Sequence, residues 1–139
     1  MICIIGGSQG AHNLSINIAE SIKSVQDNSE KKIIVFHQCR SEDLESLKAY
    51  YKTHNINNDV RVFFDEMTKV LSKSNLVISR AGSSTVNEII YYCIPSILIP
   101  YPHASDNHQY YNAKNLNISE CTKILSLIHI SEPTRQLAI

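Results

Sequence analysis

Net charge of either sign is missing: thirteen Lys and Arg balance thirteen Asp and Glu. No basic run or stripe suggests nucleic acid as a partner, and no block of like charge reads as a solvated tail. A C-x-x-C pair is also lacking. The four cysteines, Cys3, Cys39, Cys93 and Cys121, are widely spaced, which argues against a zinc site or a redox motif. Three of them lie in or beside apolar runs, where a free cysteine behaves as a small core residue, so a reducing, cytoplasmic setting is the simplest expectation. No pair among the six histidines has the H-E-x-x-H spacing of a helical metal site. No apolar run approaches the roughly 20 residues that span a bilayer, and the short apolar start Met1–Ile5 lacks the basic lead of a signal peptide. What remains is a chain of 139 residues, 43% hydrophobic and 19% charged, enough for one domain with its own core.

Strand and helix signals alternate along it. Ile2–Ile5 is an apolar run ending in Gly6-Gly7. Leu14, Ile18, Ile22 and Val25 then recur at helical spacing. Lys32–Phe36 predicts a second strand, and 42–53 a helix with Leu44, Leu47 and Tyr51 on one face. Val60–Phe64 predicts a third strand, Met67, Val70 and Leu71 a short helix, and Asn75–Ser79 a fourth strand. Val86, Ile89, Ile90 and Cys93 mark a further helical face, broken by Pro95. Ser96–Ile99 predicts a fifth strand, 106–116 a helix, and Lys123–Leu125 the start of a sixth strand. Apolar strands alternating with helices indicate an α/β fold, a doubly wound parallel sheet covered on both faces. Ligands bind such sheets beyond the C-terminal strand ends. The segments to weigh are therefore Gly6–Ala11, Phe64–Met67, Arg80–Glu88 and Pro100–Gln109.

Gly6-Gly7-Ser8-Gln9-Gly10-Ala11 joins a strand to a helix. Its glycines would let backbone N–H groups approach a phosphate at a helix N-terminus. An ordinary tight turn with Ser8 near the cap fits equally well. No Gly-Lys-Ser/Thr follows, so it is a poor P-loop. The second strand runs into Phe36-His37-Gln38 with no carboxylate for a ribose, which disfavours NAD. Arg80-Ala-Gly-Ser-Ser-Thr-Val-Asn-Glu88 offers a second such turn, suited to a diphosphate, with Glu88 placed for ribose hydroxyls. Thr85-x-x-Glu88 also fits a capping box, in which Glu88 only returns to the backbone, and on this segment alone that reading has a slight edge. Asp106-Asn107-His108-Gln109 carries amides that suit sugar hydroxyls, although a helix cap at Asp106 explains it more simply.

Together and in order, Gly-Gly-Ser-Gln-Gly-Ala, Phe-Phe-Asp-Glu-Met, Arg-Ala-Gly-Ser-Ser-Thr-Val-Asn-Glu and Asp-Asn-His-Gln-Tyr-Tyr-Asn-Ala resemble the C-terminal domain of family 28 glycosyltransferases. These are the inverting UDP-N-acetylglucosamine transferases that convert lipid I to lipid II in peptidoglycan synthesis. The resemblance covers roughly residues 2–125. It implies a GT-B enzyme whose second Rossmann-like half holds the donor. Carried over by position, Ser8 contacts the donor and the Phe64 backbone meets the uracil. Ser83, Ser84, Thr85, Val86 and Asn87 form the loop and helix start around the diphosphate. Glu88 takes the ribose hydroxyls, and Gln109 those of N-acetylglucosamine. Ser83-Ser84 stands where some relatives have Ala-Leu, and Asn87 where some have Ser; small or helix-compatible residues are kept.

The resemblance also implies what lies elsewhere. No cofactor and no metal is expected. The catalytic base, the lipid I acceptor site and the membrane-docking surface belong to an N-terminal domain absent from this chain. Residues 1–125 are thus expected to be a donor-binding domain truncated at both ends, without a catalytic residue and inactive alone. Residues 126–139, with Leu127–Arg135, are expected to be a non-native tail. The intact enzyme would be cytoplasmic and peripheral on the inner face of the membrane. The alternative is a self-standing UDP-sugar-binding subunit that pairs with a separate acceptor-domain chain.

Overall fold

The computed structural model describes residues 1–6, 12–80, 82–100 and 122–124, the last three by backbone alone. Ile2–Ile5 forms β1, the strand from which the rest is organised. It pairs in parallel with β2 (Ile34–Gln38) on one side and β4 (Leu76–Ser79) on the other. A strand flanked on both sides and covered on both faces has no solvent side, which is why its side chains are all apolar. Alternation sends Cys3 and Ile5 to one face and Ile2 and Ile4 to the other. The first face is covered by α3 (Met67–Lys73) and α4 (Ser83–Tyr92), through Leu71, Val86 and Ile89. The second is covered by α1 (His12–Asp27) and α2 (Leu44–Thr53), through Ala19, Ile22, Leu47 and Tyr51.

β3 (Asn57–Arg61), β5 (Ser96–Leu98) and β6 (Thr122–Ile124) complete a parallel sheet of order β3-β2-β1-β4-β5-β6. The doubly wound, Rossmann-like fold expected from the sequence is therefore present. Strand order reverses between β1 and β4, where Ile5 lies beside Ser79. The crevice beyond that pair is the ligand position of open α/β sheets. Gly6 is required there by close approach: its N–H donates to the Gln38 carbonyl at 2.9 Å, and a Cβ would lie 2.8 Å from the same oxygen.

Several expectations shift. β2 begins at Ile34 rather than Lys32, and β3 spans Asn57–Arg61 rather than Val60–Phe64. β3 is an edge strand placed by its ladder to β2, Ile34↔Asn57 through Gln38↔Arg61. Its backbone pairing, not its side chains, selects the segment. Val62 and Phe63 follow the strand, exposed. Val25 and Ile90 face solvent, because α1 and α4 each bury a narrower stripe than their apolar content suggests. The predicted helix over 106–116, the tail 126–139 and Cys121 lie outside the described residues.

Cys93 is exposed rather than in the core. It caps α4 in the left-handed conformation (φ 52°, ψ 43°), its N–H returning to the Ile89 and Ile90 carbonyls. A Cβ is disfavoured in that region and glycine is the usual occupant. Cys93→Gly is expected to stabilise the fold by about 1 kcal/mol, read as a higher urea midpoint at unchanged m-value.

A titratable ring is sealed in the core. His37 of β2 is fully buried, with Nδ1 2.9 Å from the Tyr51 hydroxyl of α2. Burial drives its pKa down to about 4, against the attraction of Asp43. Burial also raises the Tyr51 phenol above its ordinary value.

Candidate functional site

Two strand-to-helix junctions open on the crevice between β1 and β4. On the β4 side the chain passes from Ser79 through Arg80 to Gly82 and into α4. Arg80 is buried, and its Nη1 lies 3.4 and 3.5 Å from the carbonyls of Ile99 and Pro100. The Ile99 N–H donates to the Ser79 carbonyl at 2.8 Å. These bonds tie the exit of β5 to the exit of β4 and hold the junction in place.

Gly82 is the N-cap of α4, extended at φ −66° and ψ 147°, and no side chain caps the helix. The Val86 N–H donates to the Gly82 carbonyl at 3.0 Å, which closes the first helical turn. The amides of Ser83, Ser84 and Thr85 precede that bond and have no intrahelical acceptor. The first turn carries no acid, so nothing offsets the positive end of the helix dipole. Among the described residues, a Cβ at Gly82 would meet nothing within 4 Å. Donors and dipole together suit an anion such as a diphosphate.

The capping-box reading of Thr85-x-x-Glu88 does not hold. The helix begins two residues before Thr85, with Gly82 as N-cap, so Thr85 is inside the first turn. Its hydroxyl is not in a cap position, and Glu88 has no N-cap N–H to return to. Glu88 is half-buried in the second turn, and among the described residues its carboxylate takes part in no hydrogen bond or ion pair. Ser84 and Glu88 share a helix face by their spacing, whereas Val86 and Ile89 point into the core. Asn87 is exposed. Val86 is committed by both side chain and N–H, and acts by fixing where the helix starts.

Phe64 lies past the end of β3, in the loop leading to α3. Its ring is buried 6.0 Å from Phe36 and under the Arg61 guanidinium at 5.3 Å. The ring anchors the loop, while its backbone N–H and C=O bond to nothing among the described residues. A backbone edge held this way can read a flat heterocycle. Ser8 and Gln109 lie outside the described residues. Among those residues no group of three His, Cys, Asp or Glu side chains could hold a metal ion.

On the β1 side a cluster appears that the sequence reading missed. Asp43, in the 3₁₀ turn Ser41–Asp43 after β2, is 1% exposed. Its carboxylate accepts from Arg40 Nε at 3.0 Å and Nη2 at 3.4 Å, and bonds His12 Nδ1. The Arg40 hydrogen bond, followed by that of His12, holds Asp43 below the usual carboxylate range despite burial. The one available signal was His12 itself, standing directly after the glycine-rich turn.

The glycosyltransferase family 28 C-terminal domain matches residues 1–135. A UDP-N-acetylglucosamine–N-acetylmuramyl-(pentapeptide) pyrophosphoryl-undecaprenol N-acetylglucosamine transferase from Rickettsia bellii is 45% identical over 121 residues, covering 86% of this chain and 34% of its own length. The similarly named protein from Agrobacterium fabrum is 38% identical over 130 residues, covering 94% and 34%. The crystal structure of Acinetobacter baumannii MurG superposes with a TM-score of 0.75 at 30% identity, over 99% of this chain and 41% of that one. A kitacinnamycin glycosyltransferase shares the fold, with a TM-score of 0.67 at 15% identity over 90% of this chain and 30% of its own. The chain spans about a third of the length of the curated relatives it matches.

Proposed function

The chain belongs to the glycosyltransferase family 28 C-terminal domain, and on that premise we propose that it is the donor half of an N-acetylglucosamine transferase. The donor is UDP-N-acetylglucosamine, and the acceptor of the whole enzyme is lipid I. The observation that carries this reading is the acid-free start of α4 beside the β1–β4 crevice, with Glu88 one turn further in and engaged by nothing among the described residues.

In this reading the diphosphate lies against the amides of Ser83, Ser84 and Thr85, together with Ser8. Glu88 accepts from the ribose hydroxyls, and the Phe64 backbone pairs with the uracil edge. Gln109 exchanges hydrogen bonds with the sugar. When an acceptor hydroxyl attacks the anomeric carbon, negative charge grows on the departing UDP, and the helix N-terminus stabilises it in place. The attacking hydroxyl is the acceptor's own; in this reading the N-terminal half of the enzyme binds that acceptor and supplies the group that takes its proton. No helix among the described residues is long and apolar enough to cross a membrane.

Calorimetric titration of the chain with UDP-N-acetylglucosamine, UDP, ADP and NAD tests the reading. Preference for the two uridine nucleotides is expected; equal or better binding of ADP or NAD overturns it. Gln109→Ala should lower discrimination between UDP-N-acetylglucosamine and UDP while leaving UDP affinity unchanged. An unchanged preference for the sugar nucleotide removes Gln109 from the site.

A further inference from the structure

The His12–Asp43–Arg40 cluster has no part in the donor contacts above, yet it stands at the same crevice. His12 opens α1, the helix that follows β1, and α4 follows β4, the strand paired with β1 at the switch point. Its ring is 49% exposed, whereas the Asp43 side chain it bonds is 2% exposed. An imidazole is rigid. With Nδ1 set against a buried carboxylate, Nε2 lies on the outer edge of the ring, and it has no partner among the described residues. A carboxylate behind one ring nitrogen fixes the tautomer and orientation of the ring. Asp43 is itself held by two nitrogens of Arg40. The result is a chain from a buried, guanidinium-bound carboxylate to an exposed ring nitrogen, with little freedom along it.

Charge supply points the same way. Neither α1 nor α4 carries an acid in its first turn. Of the basic side chains at these two junctions, Arg80 is buried against the Ile99 and Pro100 carbonyls. His12 is the one presented to solvent. An anionic ligand at this acid-free helix start would be favoured by the helix dipole as well as by the ring.

We propose that His12 is a ligand of the donor diphosphate through Nε2, and that Asp43, braced by Arg40, is its positioning residue. The proposal rests on the donor-site reading above and deepens it. His12 would close on the phosphates from the α1 side while the α4 amides hold them from the other.

The test compares UDP with uridine, which lacks the phosphates, on the wild-type chain and on H12Q, H12R and D43N. H12Q should bind UDP at least about tenfold more weakly, the loss of one charge-assisted hydrogen bond, with uridine affinity and melting temperature unchanged. H12R restores a cation and should recover most of the UDP affinity. D43N should lower the UDP-to-uridine affinity ratio in the same direction as H12Q, a readout that simple loss of fold would not move. Equal UDP binding by H12Q and wild type overturns the proposal, as does a loss shared equally by UDP and uridine. Failure of the wild-type chain to prefer UDP over ADP overturns the donor-site reading itself, a separate outcome.

Discussion

Alanine at position 88 should weaken UDP binding by about 30-fold, because hydrogen bonds to a charged group contribute roughly 1.5–3 kcal/mol. Folding stability should stay within about 0.5 kcal/mol. The two halves of this expectation come from the same geometry. Glu88 is half-buried in the second turn of α4 and makes no hydrogen bond or ion pair among the described residues. Removing it therefore breaks no interaction among the described residues, and alanine is the better helix former. Had Glu88 completed a capping box, the reverse pattern would follow: a stability loss of about 1 kcal/mol with UDP affinity intact. Gly82 as N-cap and Thr85 inside the first turn exclude that arrangement. Calorimetry with UDP and urea denaturation on one preparation of Glu88→Ala separate the two patterns. Full UDP affinity in a stable variant would remove Glu88 from the donor site.

Acid should destabilise the chain well above the range where carboxylates titrate. His37 has a folded-state pKa of about 4 against an ordinary 6.5. Below 6.5 the unfolded chain takes up a proton that the folded chain refuses. Stability contributed by neutral His37 is thus fully present above pH 6.5 and falls as pH drops towards 4. The total loss is about 3 kcal/mol, at up to about 1.4 kcal/mol per pH unit. Asp43 acts in a lower window. Its folded pKa is depressed, so its contribution fades only as pH falls below the ordinary carboxylate value. Urea denaturation between pH 7 and 4 measures the His37 contribution. In His37→Leu the slope from 6.5 to 4 should flatten, even though absolute stability falls because the Tyr51 hydroxyl loses its partner. An unchanged slope would show that another group carries the titration.

The central part of the fold was legible because burial on both faces writes itself into composition. β1 and β4 read as unbroken apolar runs, and α4 shows Val86 and Ile89 at helical spacing. Legibility failed where side chains do not decide. β3 is chosen by backbone pairing at a sheet edge, and Asn57 and Asn58 are exposed there. Ile90 and Cys93 looked like core by type and periodicity, yet the helix turns them outward. The start of α4 was ambiguous for a related reason. Glycine and threonine can both cap a helix, and only the observed first hydrogen bond, from Val86 to Gly82, decides between them. The His12–Asp43–Arg40 cluster was hidden by separation along the chain, since the two elements that carry it meet only when β1 and β2 pair.

The placement of β4 beside β1 has a kinetic consequence. Ile5 and Ser79 are neighbours in the sheet, but β2, β3 and three helices lie between them in the chain. Local hairpins cannot bring the two sides of the crevice together; a long loop must close first, and such non-local pairings form slowly. During synthesis from the N-terminus, α1 and its neighbours can assemble long before the α4 amides exist. If the donor site is as proposed, capture of a uridine nucleotide is a late event that reports completion of the sheet, and a ligand added during refolding should accelerate only the final phase.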